Sequence, residues 1–144
     1  MIAYFDTSAV VPLLIGDEQG GDICRRSWDT AAAVVTTRLT YVEASAALAR
    51  AARAGRLNRR EHDVGIAGLD QLWRQFNVLE IEDGLVRAAA QLARRHALRG
   101  FDAVHCAAAG RLVDSTTVAL SGDRALLRAW SVEGLATIDT SRSA

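Results

Sequence analysis

The sequence predicts an α/β fold of three layers, in which helices cover both faces of a mostly parallel sheet of about five strands. Two observations predict it. Short apolar runs alternate along the chain with segments of helical periodicity, which is the pattern of βα units. The 144 residues are 50% hydrophobic and 24% charged, as in ordinary globular proteins, and no repeat, low-complexity segment or linker interrupts them. We therefore expect one domain over residues 1–144.

The first half of the chain is predicted to contribute two strands and three helices. In order, these are a strand at Ile2–Phe5, helices at Ser8–Leu14 and Asp17–Asp29, a strand at Ala33–Thr36 and a helix at about Thr40–Ala54. Gly55 follows the last helix as a C-cap residue. That helix carries one face at helical spacing, formed by Tyr41, Ala44, Leu48 and Ala51.

The second half alternates in the same way. Asn58 with Glu61 three residues later resembles a capping box, which predicts a helix to about Arg74. We expect Asp83 to cap the next helix and Gly100 to break the chain after it. The remaining predicted elements are a strand at Asn77–Ile81, a helix from near Asp102 to about Leu112, a strand at Thr117–Leu120, a helix at Asp123–Trp130 and an edge strand at Ala136–Ile138.

Composition narrows the class of protein. No apolar run approaches the roughly 20 residues that span a bilayer, and the N-terminus lacks the basic lead-in of a signal peptide. Cys24 and Cys106 lie far apart without a CxxC pair, as expected in a reducing cytosol. The formal charge is +0, whereas a protein that holds nucleic acid only by charge is usually basic. We therefore expect a cytoplasmic globular protein.

Four carboxylates that are distant in sequence are predicted to meet at one edge of the sheet. Ligands of open parallel sheets bind beyond the carboxyl ends of the strands, where the strand order reverses. In a sheet ordered 3-2-1-4-5 this point lies beside the first and fourth strands, which Asp6 and Asp123 follow. Glu43 is expected in the first turn of the helix after the second strand, and Asp102 opens the helix after Gly100.

Such a cluster is typical of a metal site. Like charges repel unless a cation neutralises them, and Mg²⁺ prefers oxygen ligands, of which one or two are typically carboxylates. A metal so held lowers the pKa of bound water, and in paired sites it also stabilises the leaving oxygen of an in-line displacement. The sequence thus predicts hydrolysis of phosphodiester bonds by a metal-activated water, with one ion or two.

Each acid also has a purely structural explanation. Asp6 and Asp123 fit as N-caps, and Asp102 fits as a cap or as a first-turn acid that the helix dipole favours. Glu43 fits as a surface acid favoured by the same dipole. The convergence of all four is what favours a site.

Four short segments carry these acids: residues 4–9, 40–44, 98–105 and 121–123. In their order and spacing they resemble the motifs of PIN-domain ribonucleases, specifically the VapC toxins of VapBC toxin–antitoxin systems, and the resemblance covers essentially the whole chain. Ser121 stands where threonine is more usual in that family, and Gly100 stands where a side chain is common.

This resemblance implies an endoribonuclease with a PIN-like fold, the toxin of a type II toxin–antitoxin pair. It implies Mg²⁺ as the cofactor, with Mn²⁺ as a substitute, and Asp6 and Asp102 as the firmest metal ligands. Glu43 and Asp123 complete the implied catalytic site. It further implies a homodimer and a cognate VapB antitoxin that blocks the acidic groove with basic side chains.

Three other functions fit the sequence less well. A haloacid-dehalogenase-type phosphohydrolase needs a second Asp two residues after its nucleophile, where this chain has Ser8. A non-catalytic interaction module has no reason to keep four repelling acids. A metal-free ribonuclease needs two imidazoles as acid and base, and His62, His96 and His105 show no evident pairing. We expect His105, one turn after Asp102, to be a packed or hydrogen-bonded structural residue, with tuning of the site as the alternative.

Every one of the 17 basic residues is arginine. The arginine fork suits phosphate, but the codons of a GC-rich genome explain the bias as well. Two groups stand out, namely Arg50, Arg53, Arg56, Arg59 and Arg60, and Arg94, Arg95 and Arg99. Such groups are usually solvated faces, and the alternative is that some hold the RNA backbone beside the groove. Trp28, Trp73 and Trp130 are expected to anchor the core or an interface.

Overall fold

The computed structural model describes residues 1–16 and 19–142. In this part of the chain it contains five strands and seven helices. In chain order they are β1 (Ile2–Phe5), α1 (Thr7–Leu14), α2 (Gly21–Thr30), β2 (Ala33–Thr37), α3 (Leu39–Arg53), α4 (Arg59–Gln75), β3 (Asn77–Leu79), α5 (Asp83–His96), α6 (Gly100–Gly110), β4 (Thr117–Ser121), α7 (Arg124–Val132) and β5 (Ala136–Asp139).

The strands form one sheet in the order β3-β2-β1-β4-β5, and every pairing is parallel. This confirms the predicted α/β class and strand order. β1 lies at the centre, where Ile2 is opposite Ala33 on β2 and opposite Thr117 on β4. The chain adds β2 and β3 on one side of β1 and then returns to add β4 and β5 on the other side, so the order reverses beside β1. All strand ends that carry the predicted acids therefore lie at the same edge.

β1 is buried on both faces, which explains its unbroken apolar sequence. Successive side chains of a strand point to opposite faces. Ala3 and Phe5 enter the hydrophobic cluster that α1–α4 cover, while Tyr4 enters the cluster that α5–α7 cover. All three side chains are fully buried. The helices on the two faces thus give the three layers that the sequence predicts.

Aromatic residues anchor both clusters. Trp28 contacts Phe5 and Phe76 edge-on, with ring centroids 5.6 and 4.9 Å away, in the first cluster. Trp130 is fully buried in the second cluster and meets Tyr4 at 5.8 Å. Edge-to-face pairs at these distances add to the energy of apolar burial. The expected core role of the tryptophans is confirmed for these two.

Two predicted helix ends are confirmed in detail. The Asn58 side chain accepts a hydrogen bond from the Glu61 backbone N–H at 2.8 Å, and the Glu61 carboxylate accepts one from the Asn58 N–H at 2.9 Å. This is a complete capping box. The C-cap of α3 is Ala54, and the predicted Gly55 comes directly after it with φ of 79°, a conformation that glycine adopts without the steric cost of a side chain.

Other boundaries differ from the prediction. α2 begins at Gly21 rather than Asp17, after Gly20 with φ of 83°, and Asp17 and Glu18 lie outside the described residues. β3 ends at Leu79, two residues before Ile81. α6 ends at Gly110 rather than Leu112. A left-handed glycine before α2 is a conformation that the apolar periodicity does not encode.

Two predicted helix signals near α5 and α6 are wrong. Asp83 is the first residue of α5, and Glu82 caps it, because the Glu82 carboxylate accepts hydrogen bonds from the N–H groups of Gly84 and Leu85, both at 2.9 Å. Gly100 does not break the chain but begins α6. The break comes earlier, at Ala97, which closes α5 in the left-handed conformation with φ of 53°.

In the part of the chain that the structure describes, no helix combines the length and apolarity needed to cross a bilayer.

Candidate active site

One cavity of about 650 Å³ opens at the carboxyl edge of β1 and β4, and all four predicted acids line it. Asp6 follows β1 directly, Asp123 follows β4, Glu43 comes from α3 and Asp102 from α6. Glu43 was predicted in the first turn of this helix. Because α3 begins at Leu39, Glu43 lies beyond that turn. Other polar side chains in the cavity wall are Thr7, Ser8, His105, Arg50 and Arg99.

Asp6 is the most enclosed of the four acids, with 4% of its surface exposed. It is the N-cap of α1, and its Oδ1 accepts hydrogen bonds from the backbone N–H of Ala9 at 3.0 Å and the Ser8 hydroxyl at 2.7 Å. Its Oδ2 accepts one from the Ser121 hydroxyl at 2.5 Å. Asp6 therefore caps a helix and also faces the cavity, so its two proposed roles are compatible.

The backbone after β4 orients both hydroxyls toward Asp6. The N–H of Gly122 donates to Ser8 Oγ at 2.8 Å, and the N–H of Asp123 donates to Ser121 Oγ at 2.9 Å. A hydroxyl that accepts from a backbone N–H keeps its own proton for another acceptor. Each serine thus accepts a hydrogen bond from the β4–α7 turn and donates one to the Asp6 carboxylate. These bonds connect Asp6 with the turn that carries Asp123.

Among the described residues, no cationic side chain donates a hydrogen bond to Asp6 or forms an ion pair with it. Its three hydrogen-bond donors, Ser8, Ala9 and Ser121, are all neutral. Burial raises the pKa of Asp6 above its ordinary value, although the nearby His105 and the hydroxyls of Ser121 and Ser8 act in the opposite direction. A buried carboxylate is costly unless it is paired or bound to a metal, so this position is suited to a cation.

Glu43 is held on one oxygen only. Its Oε1 accepts a hydrogen bond from the Thr7 hydroxyl at 2.6 Å and lies 2.8 Å from Nε2 of His105. Partial burial raises the pKa of Glu43, but the hydrogen bonds from His105 and Thr7 outweigh it, and the net pKa is below the ordinary value. Glu43 is therefore held as a carboxylate. The expected hydrogen-bonded role of His105 is confirmed, and its partner is a residue of the site.

Asp102 and Asp123 share a cation. Nε of Arg99 lies 3.1 Å from Oδ2 of Asp102, and its Nη2 lies 3.9 Å from Oδ2 of Asp123. Oδ1 of Asp123 also accepts a hydrogen bond from the N–H of Leu126 at 2.9 Å, as the N-cap of α7. One arginine from each predicted group, Arg50 and Arg99, thus lines the cavity.

The cavity does not contain a ready-made cage for a metal. Within residues 1–16 and 19–142, no three side chains of His, Cys, Asp or Glu stand close enough to hold an ion as they are. Mg²⁺ does not require such a cage, because it keeps several waters and takes one or two carboxylates directly. An ionised carboxylate has about four acceptor positions, and three hydrogen bonds leave Asp6 with room for one more ligand. The donor set therefore fits a hydrated divalent ion.

Sequence reasoning found the four acids but assigned no hydrogen-bond partners to them. The hydroxyls of Thr7, Ser8 and Ser121 and the imidazole of His105 hold the carboxylates in place. The available signal was proximity, since each hydroxyl lies within two residues of a candidate acid. Which acid each one binds depends on the fold, because Thr7 is next to Asp6 in sequence but bonds Glu43.

The family model for the PIN domain matches residues 3–129. The curated protein Ribonuclease VapC45 of Mycobacterium tuberculosis is 38% identical over 125 residues, which cover 87% of this chain and 86% of that protein.

Among solved structures, PAE2754 from Pyrobaculum aerophilum is similar with a TM-score of 0.71 and 22% identity, covering 97% of this chain and 91% of that one. A toxin–antitoxin complex from Klebsiella pneumoniae has a TM-score of 0.59 and 14% identity, covering 84% of this chain and 86% of that one. At these identities the two structures show a shared fold.

Proposed function

The chain belongs to the PIN domain family, and we propose that it is a Mg²⁺-dependent endoribonuclease, the VapC-type toxin of a type II toxin–antitoxin pair. The curated relative at 38% identity is named a ribonuclease, which supports RNA as the substrate. The observation that carries the metal dependence is the placement of four carboxylates around one cavity, where the buried Asp6 has only neutral donors.

In this proposal Asp6 and Asp102 hold the ion, and Glu43 and Asp123 complete the site. When bound, Mg²⁺ supplies Lewis-acid activation of water and neutralises charge on the phosphodiester, and Mn²⁺ is the expected substitute. Ser8 and Ser121 fix the Asp6 carboxylate from two sides.

Two arginines give the cavity a cationic component. Arg50 and Arg99 line the same cavity as the acids, and the Arg99 side chain is 84% exposed. Arginine binds phosphate with a planar pair of donors, so both residues suit the RNA backbone on either side of the cut bond. Arg99 also offsets part of the charge of Asp102 and Asp123 in the protein without substrate.

We also propose a cognate VapB-type antitoxin, a homodimer and a cytoplasmic location. The resemblance to VapC toxins supports the antitoxin and the dimer, and a toxin–antitoxin complex shares the fold. An antitoxin that presents basic side chains suits a cavity lined by four acids. Cys24 and Cys106 are both unpaired thiols, as is usual in a reducing compartment.

Cleavage of RNA by the purified protein tests this function. We expect wild type to cut RNA internally in Mg²⁺, to stop in EDTA and to recover when Mg²⁺ or Mn²⁺ is added back. Asp6→Asn is expected to abolish cleavage while keeping the fold, because it removes a negative charge but little volume. Asp63→Asn is the matched control, since Asp63 is exposed on α4. Equal cleavage in Mg²⁺ and EDTA, or full activity of Asp6→Asn, would overturn the proposed mechanism.

A further inference from the structure

A buried chain of hydrogen bonds leads from the centre of the sheet to the candidate site. The phenol oxygen of Tyr4 lies 2.8 Å from Nδ1 of His105, and Nε2 of the same ring lies 2.8 Å from Oε1 of Glu43. Tyr4 is fully buried on β1, and His105 is 2% exposed on α6. The three residues belong to three different elements, so the fold must be complete before the chain can form.

The direction of these bonds follows from the donors available. A phenol O–H that donates to Nδ1 places the imidazole proton on Nε2, where it can be donated only toward Glu43 or the Thr7 hydroxyl. The Nε2–Glu43 distance of 2.8 Å is shorter than the 3.4 Å to Thr7 Oγ, so the carboxylate is the main acceptor. Tyr4 therefore sets the tautomer and the orientation of His105.

Both donors to Glu43 bind the same carboxylate oxygen. Thr7 and His105 each contact Oε1, and within residues 1–16 and 19–142 no side chain or backbone group donates to Oε2. Two donors on one oxygen fix the carboxylate plane and leave the other oxygen as a free acceptor. The Glu43 side chain is 23% exposed and lines the cavity, so this acceptor is available there.

We propose that His105 is a positioning residue for RNA cleavage, which Tyr4 orients so that it fixes Glu43 with Oε2 available to the cavity. The inference rests on the proposed function. Any buried imidazole needs a polar partner on each ring nitrogen. What points to positioning is the partner of Nε2, which is the Glu43 carboxylate in the cavity wall.

Two substitutions at His105 separate positioning from packing. In His105→Gln the side-chain amide nitrogen can occupy the place of Nε2 and still donate to Glu43. In His105→Asn the amide reaches only the place of Nδ1, so it can meet Tyr4 but not Glu43. Tyr4→Phe keeps the ring of Tyr4 but removes the hydroxyl that orients His105. Leu135→Ala, in the same hydrophobic cluster but before β5 at the opposite edge of the sheet, is the control for a general loss of core packing.

The readouts are kcat and KM for RNA and the rise in melting temperature that MgCl2 produces without RNA. Loss of a hydrogen bond that orients a metal-site residue typically costs 10- to 100-fold in activity or metal affinity. We expect His105→Asn to lower kcat by roughly that factor with little change in KM, and to reduce the Mg²⁺-induced shift. His105→Gln should retain most of both, Tyr4→Phe should be intermediate, and Leu135→Ala should lower the melting temperature alone.

Several results would overturn the inference. One is a kcat and a Mg²⁺ response of His105→Asn that equal those of wild type. Another is an equal loss in His105→Gln and His105→Asn, which would indicate packing. If His105→Asn does not fold, Tyr4→Phe serves as the test. A kcat of Tyr4→Phe equal to that of wild type would then contradict the positioning role of His105. Cleavage by wild type that persists in EDTA would contradict the proposed function itself. If cleavage by wild type depends on metal and His105→Asn keeps the wild-type kcat, only the proposed role of His105 is contradicted.

Discussion

Ser121 is the residue that joins Asp6 to the turn carrying Asp123. Its hydroxyl donates to Asp6 at 2.5 Å and accepts from the Asp123 N–H at 2.9 Å, and the side chain is fully buried. Because the hydroxyl is shielded from water, its removal leaves the buried Asp6 oxygen without this partner. The position of this hydroxyl therefore affects both the stability of the fold and the geometry of the acids.

We expect Ser121→Ala to lower the free energy of unfolding by about 1–3 kcal/mol, measured by urea denaturation. Cleavage should fall by roughly 10- to 100-fold, because the Asp6 carboxylate loses a donor that fixes it. Ser121→Thr keeps the hydroxyl and should retain activity. An alanine variant as active as wild type would show that this hydrogen bond does not position Asp6.

At the scale of single residues, the sequence was sufficient for the acids but not for their partners. Asp6 and Asp123 are recognisable because each follows an apolar strand, and strand ends converge in any parallel sheet. The contact of His105 with Glu43 joins residues 62 positions apart on two helices. Its prediction would require the exact placement of α3 and α6, which cover opposite faces of the sheet and meet only at its carboxyl edge, and periodicity does not give that placement.

Among the elements, α5 and α7 are joined at their C-terminal ends by a polar cluster. Glu133, the C-cap of α7, accepts hydrogen bonds from His96 at 2.9 Å and from Arg95 at 3.0 Å. The hydrogen bond from His96 is the largest cause that holds the pKa of Glu133 below its ordinary value. A carboxyl with a depressed pKa stabilises the folded state only while it is ionised.

Glu133→Gln should therefore destabilise the protein in a pH-dependent way. Near pH 7 we expect a loss of about 0.5–1 kcal/mol, since the group is partly exposed. This loss should disappear as the pH falls through the folded pKa of Glu133, which lies below the usual glutamate value of about 4.3. Urea denaturation of both proteins from pH 7 to pH 3 measures it. A difference that stays constant or grows toward acid would contradict this role of the ionised carboxylate.

Element types were easier to predict than element ends. Each predicted strand and helix is present because apolar periodicity and caps such as the Asn58–Glu61 box act locally. The end of α5 was missed because Ala97 adopts a left-handed conformation that alanine seldom takes. The N–H groups of Ala97 and Leu98 both donate to the Ala93 carbonyl and close the helix there, at a position that no glycine marks in the sequence.

At the scale of the whole molecule, the net charge is balanced, but the acidic and basic side chains are unevenly distributed. The chain has 17 basic and 17 acidic residues, yet four acids converge on one cavity, and the described residues that line it include two arginines, Arg50 and Arg99. The parallel sheet causes this uneven distribution, because it brings the carboxyl ends of β1 and β4 to the same edge. The alternation of elements predicted a parallel sheet, whereas the strand order was an assumption that the structure confirms, and the cavity follows from that order.

The central claim is that these four carboxylates together capture a divalent ion. Crystals grown with Mn²⁺ and measured at an energy where manganese scatters anomalously test it most directly. We predict an anomalous peak inside the cavity, bound by Asp6 and Asp102, which is lost in crystals of Asp6→Asn. The absence of a peak there, at a Mn²⁺ concentration that supports RNA cleavage, would contradict the account.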